Sequence, residues 1–127
     1  MEWEQIYQFH LNPPTNRDIL KRSPHTEKLY EKYLEKNLSN DDILNCVFNT
    51  SERISQGYRL IPNNFPYDVA HNIRHLVLWI HPDAPFTENN ILEILGKKLK
   101  YTNWFCYQSI DILRSISNIP HYHVFVK

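Results

Sequence analysis

Glycine is scarce in this chain, with two in 127 residues, which excludes collagen-like and glycine-rich low-complexity architectures. Cysteine is equally rare. Cys46 and Cys106 stand alone without a CxxC pair, so they read as free, buried thiols of a reducing compartment and not as a disulfide framework. Neither sign of charge dominates: Lys plus Arg and Asp plus Glu are each 14. That balance gives no footprint of a duplex nucleic-acid binder, and a bound anion has to be held locally. Long apolar runs are missing as well. The longest, Leu76 to Ile80, is far short of a membrane span, and the acidic Met1-Glu2-Trp3-Glu4-Gln5 start has no apolar signal region. These absences lead to the expectation of a cytoplasmic protein with no membrane partner.

What the chain does have is aromatic residues, 13% of the total, and enough length for one continuous core, so a single domain over residues 1–127 is expected. Residues 1–50 read as helices. Trp3, Ile6, Tyr7 and His10 recur at helical spacing before Pro13-Pro14. Ser23 ahead of Pro24 is an N-cap with proline at the first helical position, followed by the apolar stripe Leu29, Tyr30, Tyr33 and Leu34. Ser39 caps a third run with Ile43, Leu44, Val47 and Phe48 on one side.

From Gly57 the period changes to two. Tyr58 to Ile61, Ile73 to Ile80, Trp104 to Gln108 and the terminal His121-Tyr122-His123-Val124-Phe125-Val126 run read as strands, with one helix from Thr87 carrying Ile91, Leu92, Leu95 and Leu99. A helical half followed by a strand-rich half with one helix, 57–127, implies an α+β fold with a mostly antiparallel sheet. Alternation puts His121, His123 and Phe125 on one face of the last strand, and His75, Val77, Trp79 and His81 on one face of the second. The opposite face, Leu76, Leu78 and Ile80, reads as core.

Two imidazoles side by side on a strand can act as base, nucleophile or metal ligands. As a metal pair they would need a third ligand such as His75 or His81; the acidic Asp68, Asp83 and Asp111 fall in loops. Trp79 and Trp104 offer ring surfaces to a base or sugar, or pack in the core. The Asn63-Asn64-Phe65-Pro66-Tyr67 turn presents amides to a ribose or phosphate, or only links two strands. Arg114 and Ser115, just ahead of the last strand, can hold an anion. Both histidines can also serve only as hydrogen-bonding members of an aromatic sheet.

Several words of the sequence resemble a known family. Asn63-Asn64-Phe65-Pro66-Tyr67, His75-Leu76-Val77-Leu78-Trp79, Trp104-Phe105, and Leu113-Arg114-Ser115-Ile116 running into His121-Tyr122-His123-Val124 are similar to the fungal N-acetylglucosamine-induced proteins. The likeness extends upstream to Arg22-Ser23-Pro24 and Tyr30. The family is named for induction by a sugar, and the resemblance implies relatives without implying an activity. Here Asn64 replaces the family's usual Asp, and Cys106-Tyr107-Gln108 replaces an expected Asn.

The order of Pro-Tyr turn, histidine strand, helix and alternating-histidine strand also resembles the histidine triad (HIT) nucleotide hydrolases and transferases. That resemblance implies a HIT-like fold and a phosphate, nucleotide or nucleotide-sugar ligand. It makes His123 the nucleophile, His121 its orienting partner and His75 the acid, with Asn63, Asn64, Tyr67, Trp79, Arg114 and Ser115 binding ligand and no metal or other cofactor. Phe125 stands where the family has a third polar residue, which leaves a non-catalytic ligand- or protein-binding domain as the alternative, and a His-ligated metal site as a further one.

Overall fold

The computed structural model describes residues 1–14, 21–100, 102–108 and 119–127. Its elements run α1 (Trp3–Leu11), α2 (Pro24–Glu35), α3 (Asn40–Val47), α4 (Ser51–Gln56), β1 (Tyr58–Pro62), β2 (Arg74–Ile80), α5 (Glu88–Lys98), β3 (Trp104–Tyr107) and β4 (His121–Val126). The fold is α+β, and every strand pairing is antiparallel in the order β1-β2-β4-β3. Among the described residues no helix is long and apolar enough to cross a membrane.

Local chemistry sets the helix boundaries. Ser23, Ser39, Thr50 and Thr87 each accept a hydrogen bond from a backbone N–H in the first turn of the helix they precede, satisfying donors that have no partner within the helix. Helix α4 extends the helical half beyond residue 50. It carries a single large apolar residue, Ile54, which is 50% exposed, so it leaves no periodic stripe to recognise. Gly57 ends it with φ of +80°.

The sheet is covered on both sides. Leu76, Leu78, Ile80, Cys106, Val124 and Val126 meet Ile91 and Leu95 of α5. The opposite face, which carries the imidazoles, is also buried: Ile6 and Phe9 of α1 and Tyr67 and Ile73 of the 63–73 segment cover Phe105, Tyr107 and Phe125. Farther along it, Ile43, Val47 and Phe48 pack with Ile119 and Trp79. Arg59 of β1 ties α3 to the sheet by donating to the Val47 carbonyl at 2.9 Å, where a cation also suits a helix C-terminus.

Helix α2 buries none of its residues, and Leu29 and Leu34 of its expected apolar stripe are 45% and 39% exposed. Its attachment is aromatic instead, with Tyr30 and Tyr33 each 5.2 Å from the Phe65 ring. Leu92 of α5 is likewise exposed. Cys46, expected to be buried, is exposed on α3, whereas Cys106 is buried.

Candidate functional site

Register builds the site. Across β2, β4 and β3, His75 lies opposite Phe125 and Phe125 opposite Phe105; Val77 lies opposite His123 and His123 opposite Tyr107; Trp79 lies opposite His121. Directly opposed residues share a face, so the strands lay down rows of rings. Asn63 extends the β1 edge of the first row, its backbone N–H donating to the His75 carbonyl at 2.9 Å. The rings pack closely: His75 on Phe125 at 4.4 Å, Tyr107 on His123 at 5.1 Å, and Tyr67 over His123 at 5.4 Å.

His75 and His123 are joined by a hydrogen bond, Nε2 to Nδ1, of 2.9 Å. The backbone fixes its direction. The Tyr67 N–H donates to His75 Nδ1 at 3.0 Å, so in neutral His75 the proton sits on Nε2 and is donated to His123. His123 therefore accepts at Nδ1 and carries its own proton on Nε2. His121 has the opposite arrangement: its Nδ1 lies 2.9 Å from the Ile119 carbonyl, which can only accept, so the lone pair of neutral His121 is on Nε2.

Burial keeps the pair uncharged. Desolvation, then the charge of His123, then Arg22 hold His75 well below the usual histidine range. Desolvation, then His121, then Arg22 bring His123 down to about 3. Tyr107, whose O–H donates to the Tyr67 oxygen at 3.2 Å, is raised by desolvation first and by Tyr67 second. The cation beside this cluster is Arg22. Its guanidinium lies over Tyr30 at 4.1 Å and over Tyr67 at 5.2 Å, and its Nε donates to the Phe65 carbonyl at 2.8 Å.

A cavity of about 430 Å³ opens between the start of α2, the 63–73 segment and the start of β2; its lining includes Ser23, Asn63, Tyr67, His71, Arg74 and His75. Of the residues singled out in the sequence, His75, Asn63 and Tyr67 meet here. His123 lies behind His75, 8% exposed. Trp79 and His121 pair with each other at 5.0 Å toward the opposite end of the strands, away from His75, Asn63 and Tyr67. Asn64 is exposed and outside the cavity lining. His81 packs against Phe48 at 5.2 Å. Arg114 and Ser115 lie outside the described residues. Among those described, no group of three or more His, Cys, Asp or Glu could hold a metal ion.

Arg22, His71 and Arg74 were not singled out as site residues from the sequence. Arg22 belonged to one of the resembling words, but its role depends on contacts with Phe65 and Tyr67, more than forty positions away. Arg74, next to His75 at the strand start, carried the one local signal of a cation beside the histidine.

Comparison with known proteins finds no match among curated proteins. The fold is similar to a solved structure, the crystal structure of HTC1, with a TM-score of 0.71 and 20% identity over 98% of this chain and 84% of that one. Residues 2–127 match DUF3605, described as a protein of unknown function, and the chain belongs to that family.

Proposed function

We propose that this domain binds a small phosphorylated molecule, a nucleotide or nucleotide sugar, in the cavity beside His75. The observation that supports this reading is the lining itself: Arg74, His71 and the Asn63 amide are gathered around about 430 Å³, a volume within the range of small-ligand sites. A guanidinium and an imidazole suit phosphoryl oxygens, and Asp68 is the only carboxylate in the described lining.

A thermal-shift series with inorganic phosphate, nucleoside monophosphates and nucleotide sugars tests the reading, because a ligand of the folded state raises the melting temperature. One class should stabilise the wild type, and Arg74→Ala combined with His71→Ala should abolish the shift. No stabilisation by any of these compounds refutes it.

A second reading, hydrolysis or transfer through a histidine nucleophile in a HIT-like site, has one observation in its favour and one against its expected form. Attack on phosphorus requires a lone pair on the attacking nitrogen. His121 has it on Nε2, whereas the Nδ1 lone pair of His123 is engaged by His75 and its Nε2 is protonated. A catalytic version therefore exchanges the expected roles, with His121 attacking. Phe125, fully buried between His75 and Phe105, supplies no polar third position. Phosphate release that is lost in His121→Ala and kept in His123→Asn supports this version. Its absence in the wild type leaves the binding reading alone.

A further inference from the structure

Asn63 is held in one orientation by its own turn. Its Oδ1 accepts the Phe65 backbone N–H at 2.8 Å, an Asx turn that leaves the amide nitrogen facing the other way. That nitrogen lies 3.3 Å from His75 Nε2. The Tyr67 N–H on His75 Nδ1 makes Nε2 a proton carrier whose bond goes to His123, so the contact sets one donor against another. Asn63 Nδ2 thus has no acceptor among the described residues, and Asn63 lines the cavity.

We propose that the Asn63 side-chain N–H is the specificity donor of the cavity, taking an acceptor-only oxygen of the ligand, the oxygen of a phosphoryl group, while Arg74 supplies the charge. The assignment rests on the binding reading above and adds to it a particular atom. The Asn63 Nδ2–H, set beside a His75 Nε2–H already committed to His123, makes the spot favourable to an oxygen with lone pairs and unfavourable to an ammonium or amide N–H. A carboxylate in place of the amide would keep the turn, since either oxygen can accept from Phe65, and would reverse the preference.

The test uses the ¹⁵N-labelled full chain. Two-bond imidazole spectra report the tautomers of His75 and His123, and the Asn63 side-chain amide is followed during titration with inorganic phosphate, a nucleoside monophosphate and a nucleotide sugar. Both histidines are expected as Nε2–H, and the Asn63 amide pair should shift and saturate together with the Arg74 signals. Asn63→Asp should remain folded and weaken binding at least tenfold. Finding His75 protonated on Nδ1 overturns the proposal without any ligand. Saturating shifts at Arg74 and His71 with Asn63 unmoved overturn it and leave the binding reading standing. No response to any of the three probes overturns both.

Discussion

His75 and His123 share a buried hydrogen bond whose direction is set by a third residue, because the Tyr67 N–H occupies His75 Nδ1 and leaves only Nε2 to donate. Two imidazoles in an aromatic stack normally present four nitrogens in undefined states. Here one backbone amide orders both rings and the Asn63 contact beside them. The arrangement needs two neutral rings, since protonating His123 on Nδ1 would put two N–H groups face to face.

Stability should therefore depend on pH. Both folded-state values lie below the ordinary histidine value of 6.5. Above it neither state takes up protons at these sites. Below it the unfolded chain binds protons that the folded one does not, so stability falls as pH drops, by about 1.4 kcal/mol per pH unit for each histidine. For His123 the loss continues down to about pH 3. His123→Asn keeps an acceptor near the Nδ1 position and removes one titration. Urea unfolding between pH 6 and 4 should show a slope shallower by about 1.4 kcal/mol per unit than wild type; equal slopes refute the burial of a neutral His123.

How much of this was legible in the sequence follows from the range of each contact. The alternation of Ile73 to Ile80 and His121 to Val126 determined which side chains share a face, and the register of Arg74–Ile80 with His121–Val126 bears that out. Ser23, Ser39 and Thr87 marked helix starts by local chemistry alone. The covering of the imidazole face was not legible, because it depends on how α1 and the 63–73 segment dock, and Phe9 and Tyr67 give no local sign of it. The proton positions were further out of reach: they depend on the Tyr67 amide meeting a ring eight residues later in the chain.

Gly57 is a position where substitution should be costly. Its φ of +80° lies in the left-handed region, and an added Cβ would stand 3.0 Å from the Ala84 Cβ and 3.2 Å from the Phe86 ring. The conformation alone costs a residue with a Cβ about 1–2 kcal/mol, and the contact with Ala84 adds to it. Gly57→Ala should lower the stability by about 2 kcal/mol or more in denaturant unfolding, with the m-value unchanged. A neutral result would mean that the α4–β1 junction has another backbone conformation.

The two cysteines should separate by reactivity. Cys46 is exposed, while Cys106 is buried and its thiol is pushed up to about 11, by desolvation first and by Glu88 second. Thiolate is the reactive species. A disulfide reagent at pH 8 should titrate one thiol quickly in the native protein and the second only on unfolding. Two fast equivalents would contradict the packing of Cys106 between the sheet and α5.

Among the described residues, Arg22 is one of the few attachments of helix α2. Helix α2 buries no residue, and it meets the body of the protein through Tyr30 and Tyr33 on Phe65 and through Arg22 between Tyr30 and Tyr67. A charged hydrogen bond to a carbonyl contributes about 1.5–3 kcal/mol and a partly desolvated cation–π contact about 0.5–2 kcal/mol. The exposed Glu27 carboxylate, 3.6 Å away, adds little. Arg22→Ala should therefore destabilise α2 by about 2–3 kcal/mol. Lysine should recover only part of this, because it lacks the planar group that lies over two rings while its N–H donates to a carbonyl. Hydrogen exchange is the measurement that discriminates: α2 amides should lose protection in Arg22→Ala before the amides of β2 and β4 do. Uniform loss across both would show that the helix and sheet open together, and that Arg22 supports the whole core through Tyr67.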